Sequence, residues 1–385
     1  MAAAPYYPWR ENNRFELMVD GHCFFPQLIQ AMEQAQQTID IELYLVESGQ
    51  SFNRVFAILA AAAARGVRVR CLFDGAGSRD LGEEDRQRLR ESGVELRFYN
   101  PLNLWGGRAN LHRDHRKLIL VDDQVAFIGG TGFTDDFCIP DEAGHCLWHE
   151  QMLRVEGPVV ADWVTVFQHQ WDATHRRRGR PPAQLHRVRI PPRPEGSEGL
   201  ARVSLTDGRT HRELVQALLS SIARAEHKVW LATPYFVPGW RIRRSLMRAA
   251  RRGVDVRLLL CGEITDHPPV RYAGQRYYRR LLMAGVRIFE YQPRFLHLKT
   301  VLVDDWVSLG SANFDRWTLH WNLEANQNII DSGMTRTVEE SFATDFAESR
   351  EWTLQDWREL SWAHRLKIRL WGGISRSAMV WLGIR

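Results

Sequence analysis

The sequence predicts an α/β protein made by duplicating one domain, with mixed sheets flanked by helices. Three observations carry this: strand-like apolar runs alternate with amphipathic helical segments, the order of these segments recurs once along the chain, and the composition can fill real cores. The chain has 385 residues, 44% of them hydrophobic and 11% aromatic. At about 150 residues per domain the length accommodates roughly two to three domains, and the composition excludes a disordered chain or a small disulfide-stapled module.

The first copy opens with Phe25, Leu28, Ile29, Met32 and Ala35 at helical spacing and leads into the strand-like run from Thr38 to Val46. A small-residue helix then stops at Gly66, a strand follows from Val67, a charged helix reaches Leu89, and a short strand starts at Gly93. The second copy repeats the order: a helix from Leu214, the run from Lys228 to Phe236, a helix ending at Gly253, then strands from Val254 and from Ala284. Tyr44 matches Tyr235, Gly66 matches Gly253 and Gly93 matches Gly285, each pair about 190 residues apart, as duplication of a whole domain requires. Domains are expected over residues 12–172 and 201–360, with a linker at 173–200 and a tail at 361–385. Residues 173–194 hold seven arginines, five prolines and no acid. So much proline opposes helix and central strand, and an extended connector or a loop along a basic surface is expected.

Lys plus Arg number 51 against 46 Asp plus Glu, a formal charge of +5. This biases the chain toward phosphate-bearing partners without choosing between nucleic acid and anionic lipid. Cysteines stand at 23, 71, 138, 146 and 261, an odd number with no C-x-x-C spacing. A disulfide framework or structural zinc is therefore not expected, and a reducing compartment fits. Cys138, His145, Cys146 and His149 are too irregularly spaced for a ligand set and are expected in core or loop; no metal and no cofactor is expected. The start lacks the pattern of a signal peptide, and no stretch reaches the roughly 18 apolar residues of a spanning helix, so a soluble or surface-attached protein is expected.

The chemistry lies in one short pattern that both copies deliver, His-x-Lys-x4-Asp. It reads His115, Lys117, Asp122 in HRKLILVDD and His297, Lys299, Asp304 in HLKTVLVDD. In a strand His and Lys two apart share a face, while the apolar residues 118–121 and 300–303 hold that strand in a core. Small-residue turns follow around Gly129 and Gly310, where backbone N–H groups can approach an anion. This set suits a phosphodiester. Two lysines can offset the charge of a phosphoryl centre under attack, one neutral histidine can attack phosphorus, and a second, protonated, can hand its proton to the departing alkoxide.

The paired motifs, with FELMVDGHCFFPQLIQAMEQA, IDIELYLVESG, HRKLILVDDQVAFIGG, LRVEGPVV and VDDWVSLGSANFD, resemble the phospholipase D superfamily over most of residues 12–360. Within it they resemble the bacterial cardiolipin synthases of the short, membrane-surface type. The resemblance implies two phospholipase D-like halves packed with pseudo-two-fold symmetry around one shared active site. A phosphatidyl group would pass to His115 as nucleophile, with His297 as general acid and later base, although the sequence also allows the exchanged roles. Lys117 and Lys299 would hold the non-bridging oxygens, helped by Ser311 and Asn313, and Glu150 and Glu324 would orient the histidine rings. Asp122 and Asp304 belong to the motif's catalytic set but are expected to hold the loops and local charge rather than touch substrate. No obligate protein partner is implied. The implied partners are a membrane surface and anionic glycerophospholipids, phosphatidylglycerol as donor and either phosphatidylglycerol or phosphatidylethanolamine as co-substrate. The implied location is the cell membrane, peripheral, on its cytoplasmic face.

Two departures from the family pattern stand out. Gly129-Gly130-Thr131-Gly132 replaces Gly-Gly-x-Asn, so Thr131 or a backbone group must substitute for the asparagine's donor. Five residues separate Asp304 from Gly310, where six separate Asp122 from Gly129, which requires a tighter second hairpin.

The tail carries Arg365, Lys367, Arg369, Arg376 and Arg385, no acid, and Trp362, Trp371 and Trp381. Such a segment can lie on an anionic bilayer; alternatively it is a helix docked on the body through Leu366, Leu370 and Ile374. A lipid enzyme should also expose apolar residues at the site mouth, from the segments beginning at Phe236 and Trp105. A hydrolase or nuclease using the same two histidines is the competing function, with the arginines from 176 to 193 following a nucleic-acid backbone.

Overall fold

The computed structural model describes residues 7–103, 105–139, 147–175, 190–207 and 212–381. Most of the arginine-rich stretch, with His145, Cys146 and Arg385, lies outside them, as do the side chains of Cys138 and Trp381.

The first half supplies strands β1 (Arg10–Val19), β2 (Thr38–Leu43), β3 (Arg68–Asp74), β4 (Glu95–Tyr99), β5 (Leu118–Val121), β6 (Val125–Gly129), β7 (Trp148–His149) and β8 (Gln151–Glu156). The second half supplies β9 (Gly199–Thr206), β10 (Lys228–Thr233), β11 (Asp255–Cys261), β12 (Arg287–Tyr291), β13 (Phe295–Leu296), β14 (Thr300–Val303), β15 (Trp306–Gly310), β16 (Glu324–Ile330) and β17 (Ser349–Trp352). From the central β1–β9 contact one side of the sheet runs β8, β6, β5, β2, β3, β4; the other runs β16, β15, β14, β10, β11, β12, and ends with β17. Seven strands on each side thus follow the same repeat order outward from the centre, and β17 has no counterpart.

Strand pairing is mixed, as expected: β2–β3–β4 and β10–β11–β12 are parallel, and the inner strands are antiparallel. Among the described residues, however, the halves do not keep separate main sheets, and the only other sheet is the two-stranded pair β7–β13. One sheet of 15 strands runs through both halves. The reason lies in β1, which pairs with β8 from Arg14 to Val19 and reaches β9 only at Arg10 and Asn13. Asn12, with φ of 61°, breaks the ladder between these two contacts, a left-handed position that asparagine tolerates better than most residues.

β5 and β14 are buried at every position, which is why LILV and TVLV read as unbroken apolar runs. The largest core cluster joins the halves, packing Leu153, Trp163 and Phe167 with Leu302, Val307 and Phe342. Trp163 also donates its indole N–H to Gln327 Oε1 at 2.7 Å, deep inside. Trp163→Ala is therefore expected to destabilise the fold by about 3–5 kcal/mol, since it opens a cavity and strands the amide oxygen. Urea unfolding measures this; a loss below about 1 kcal/mol would mean that the core between the halves contributes little.

The tail forms a helix, Trp362–Trp381, lying against the helix Pro268–Gln275. It docks through Ile368 and Gly372, not through Leu366, Leu370 and Ile374, which face outward. Among the described residues no helix is long and apolar enough to cross a membrane.

Candidate active site

Each HxK segment is laid beside a strand segment of the opposite half. His115 N–H donates to Leu323 O at 3.0 Å, next to a parallel bridge between Asp114 and Leu323. In the other half β13 runs parallel to β7, and His297 N–H donates to His149 O at 2.8 Å. Glu324 follows Leu323 and Glu150 follows His149, so each glutamate is delivered to the histidine of the other half.

The pairs are therefore crossed. His115 Nδ1 lies 3.0 Å from Glu324 Oε1, and His297 Nδ1 lies 2.6 Å from Glu150 Oε2. A carboxylate at Nδ1 fixes the Nδ1–H tautomer and leaves the Nε2 lone pair of each ring free. Glu324 is itself held by Ser311 Oγ at 2.5 Å and by Asn322 Nδ2 at 3.3 Å. The lysines repeat one arrangement: Lys117 Nζ donates to His115 O at 2.6 Å and Lys299 Nζ to His297 O at 2.5 Å. Lys299 Nζ also lies 3.0 Å from His297 Nδ1 and 3.5 Å from Glu150 Oε2.

Burial dominates the electrostatics. It pushes both imidazoles below their ordinary value, His297 further because Lys299, Lys117 and His115 add positive charge, while Glu324 partly restores His115. Burial also brings Lys117 down to about 7 and lowers Lys299, and it raises Glu150. Each histidine feels the lysine of the other half, so the four groups share one field. The walls differ. Tyr44 sets its ring edge-on to His115, centroids 4.8 Å apart, whereas His297 is surrounded by Trp148 at 4.9 Å and by Phe137 and Phe295 at 5.6 Å.

The sequence-predicted residues divide accordingly. The structure brings together His115, Lys117, His297, Lys299, Glu150, Glu324 and Ser311. Ser311 differs from expectation in that its hydroxyl is spent on Glu324 rather than left for a phosphoryl oxygen, because the turn after β15 lies against β16, which begins at Glu324. Asn313 is buried with its Oδ1 unpartnered.

Asp122 and Asp304 do not join the cluster, which corrects their grouping with the catalytic residues. Asp122 accepts the backbone N–H groups of Gln36, Gln37 and Thr38, and Asp304 those of Glu226, His227 and Lys228, at the far ends of β5 and β14. Both hold the entry to a neighbouring strand. The tighter second hairpin is found: the turn is Asp122 to Gln124 in the first half and only Asp304 and Asp305 in the second.

Thr131, the expected substitute donor, is turned within its own loop, its hydroxyl donating to Gly132 O at 3.3 Å. The family asparagine has no room at Gly132, because a Cβ there would overlap the Leu45 carbonyl oxygen, to which Phe133 N–H donates at 3.0 Å. Gly130 is equally constrained, since a Cβ there would overlap the Glu150 carboxylate and stand 2.8 Å from Lys299 Nζ. Gly130→Ala is expected to lower kcat by about tenfold to a hundredfold while leaving thermal unfolding nearly unchanged, because it displaces Glu150 from His297. Unaltered kcat would show that the glutamate's position is immaterial.

Sequence reasoning missed Tyr44 as a site residue, although its place in the repeat marked it, and missed Asn322 and Gly130. His149 lies beside Glu150 and was assigned only to core or loop. It is buried between Asp20 and Asp345, at 2.8 and 3.0 Å, with Arg294 on Asp20, and these acids raise it to about 9 against the opposing effect of burial.

Comparison with known proteins shows the family to which the chain belongs. Residues 28–171 and 218–346 each match the family described as "Cardiolipin synthase, PLD-like domain". Cardiolipin synthase B of Salmonella typhi is 35% identical over 340 residues, covering 86% of this chain and 80% of that protein. Cardiolipin synthase A of Pseudomonas aeruginosa (strain LESB58) is 33% identical over 367 residues, covering 94% and 73%. In fold, the chain is similar to the crystal structure of phosphatidylserine synthase from Haemophilus influenzae Rd KW20, with a TM-score of 0.75, 14% identity, and coverage of 98% and 97%. A duplicated α/β fold carrying paired HxK segments defines the phospholipase D class, whose chemistry is phosphatidyl transfer or hydrolysis. Within that superfamily this chain belongs to the bacterial cardiolipin-synthase-like family.

Proposed function

We propose that the crossed pairs form one active site, shared by two halves related by pseudo-two-fold packing, and that the protein is a phosphatidyltransferase making cardiolipin through a phosphohistidine. In this reading residues 12–172 and 201–360 are the two domains, and the enzyme works as a peripheral protein at the cytoplasmic face of the cell membrane. The observation that carries it is the delivery of each glutamate to the opposite histidine, which holds the two HxK segments against each other, as two rings acting on one phosphorus need. The relatives named cardiolipin synthase support the choice of substrate.

His115 Nε2 attacks the phosphorus of a phosphatidylglycerol, the P–O bond to the glycerol headgroup breaks, and His297 Nε2–H gives its proton to that alkoxide. Glycerol leaves. The hydroxyl of a second glycerophospholipid then loses its proton to His297 and attacks the phosphorus, the N–P bond breaks, and cardiolipin departs with His115 restored. Lys117 and Lys299 hold the charge that develops on the non-bridging oxygens. His297 is depressed first by burial and then by the lysine charges, and a bound phosphate offsets the second of these, which favours its protonated form in the complex. The exposed Trp105 and Trp240 suit an apolar approach, while Phe236 and Val237, expected beside them, are buried.

The test is purified protein with labelled phosphatidylglycerol vesicles, with and without a metal chelator, and identification of every lipid product. Cardiolipin in both arms is expected; phosphatidic acid alone would make the protein a hydrolase, and no lipid product would favour the nuclease alternative.

The pH dependence follows from the histidines and Lys117. The Lys117 charge is complete below about 7 and is lost as pH rises through that value, whereas a neutral His115 is lost as pH falls through its depressed value. Hence kcat/KM should fall on the alkaline side first as His297, depressed in the free enzyme, loses the proton it must donate and again above about pH 7 as Lys117 loses its charge, and both alkaline limbs should lie higher in kcat, because bound phosphate stabilises the cationic forms. Coincident alkaline limbs would remove Lys117 from phosphate binding.

A further inference from the structure

Away from the histidine cluster, a cavity of about 560 Å³ opens between the tail helix and the short helix Tyr278–Leu282. Five arginines line it, Arg276, Arg279 and Arg280 from the body and Arg365 and Arg369 from the tail, and no carboxylate does. Arg276 Nη1 donates to Gly372 O at 2.5 Å, tying the two walls together. The remaining guanidinium capacity is large, because each arginine carries five donors. Positive charge accumulates there: Arg243 is held below the ordinary arginine value by burial, and the charges of Arg316, Arg280 and Arg276 lower it further.

The tail helix shows the complementary half of the arrangement. Trp362, Leu366, Leu370 and Ile374 are 79%, 55%, 54% and 48% exposed, whereas Ile368, on the opposite side, is 5% exposed. At four-residue intervals the exposed four drift only about 40° each, so they form one stripe pointing away from the body. Arg365 and Arg369, at the cavity, and Arg376 beyond it fall along one edge of the stripe, and Lys367 along the other, over the ring of Tyr272. Trp371 is half-buried and takes no part in the stripe.

We propose that the five-arginine cavity is a second phosphate site, separate from the histidine cluster, which holds the headgroup phosphate of an anionic bilayer lipid while the tail stripe enters the acyl boundary beside it. The two features need each other's partner. An unbroken apolar stripe requires an apolar phase, and five arginines without a carboxylate require anions, and the surface that offers both within one helix diameter is an anionic bilayer. A free phosphate would leave the stripe in water, and a nucleic acid would offer it nothing. The site deepens the membrane part of the proposed function by naming the contact that holds the enzyme to its substrate phase.

The test is equilibrium sedimentation of the full chain with vesicles of phosphatidylcholine alone or mixed with phosphatidylglycerol. Arg279→Glu/Arg280→Glu/Arg369→Glu should lose about a hundredfold or more in affinity for the mixed vesicles, since each reversal removes attraction and adds repulsion. Leu366→Asp/Leu370→Asp should lose binding to both vesicle types. The milder Arg279→Gln/Arg280→Gln/Arg369→Gln serves if charge reversal impairs folding, and it should still weaken binding to mixed vesicles. Undiminished binding by the arginine variants would overturn the proposal. So would tight, saturable binding of dissolved glycerol phosphate, or of a polyuridylate, that phosphatidylglycerol vesicles fail to displace. Turnover of detergent-dispersed phosphatidylglycerol should stay at the parent rate in every variant. A parent chain that binds mixed vesicles through these arginines yet makes no cardiolipin would support the docking site and sink the transferase reading.

Discussion

Alanine at either His115 or His297 is expected to lower turnover by about 10³- to 10⁵-fold, and the double replacement to be little worse than the more damaging single one. Under the proposed mechanism no covalent intermediate would form without His115. Without His297 the departing alkoxide has no proton and the incoming hydroxyl no base, so both halves of the reaction stall. In the proposed mechanism the two rings act on one sequence of bonds, so losing either leaves the other with nothing to complete. Steady-state rates on phosphatidylglycerol vesicles measure this. If the two effects multiplied, or if one variant kept near-normal rates, the histidines would belong to independent sites.

The second large effect is expected from the crossed glutamates. Glu324→Gln should lower kcat by about 10²- to 10⁴-fold with little change in KM, because an amide oriented by Ser311 and Asn322 no longer stabilises the His115 imidazolium or enforces its tautomer. Glu150→Gln should act likewise through His297, from the other half of the chain. The informative comparison is within pairs. Glu324→Gln should add almost nothing in a His115→Ala background, although 209 residues separate the two in sequence, since they lie 3.0 Å apart across the interface between the halves. Additive losses would mean that this contact does not exist in the working enzyme. Ser311→Ala should reproduce a weaker form of the same defect, since its hydroxyl reaches the imidazole only through Glu324.

Much of this was legible in the sequence because local pattern and duplication fixed it. Apolar quartets after each HxK could only be buried strands, and the matched positions of Tyr44 and Tyr235 gave the repeat its register. The choice of Glu150 and Glu324 came from the family resemblance. Their crossing was not legible, since which glutamate meets which histidine depends on β7 lying beside β13 and on the bridge at Leu323, contacts between segments far apart in sequence. The single sheet escaped for a similar reason, resting on two contacts at the start of β1. The roles of Thr131 and Ser311 went astray because a motif gives residue identity without hydrogen-bond direction, and both hydroxyls found nearer partners. In the tail, composition announced a membrane-facing segment, but apolar residues at helical spacing fit a docked face equally well; only the burial of Ile368 reveals which side is outward.

The most direct measurement is the stoichiometry and position of the covalent intermediate. Rapid quenching during turnover of labelled phosphatidylglycerol, followed by peptide mapping under conditions that preserve N–P bonds, should find at most one phosphatidyl group per chain. All of it should be on His115 and none on His297. Label on both histidines of one chain, or turnover without label on either, would contradict a single site built from the two halves.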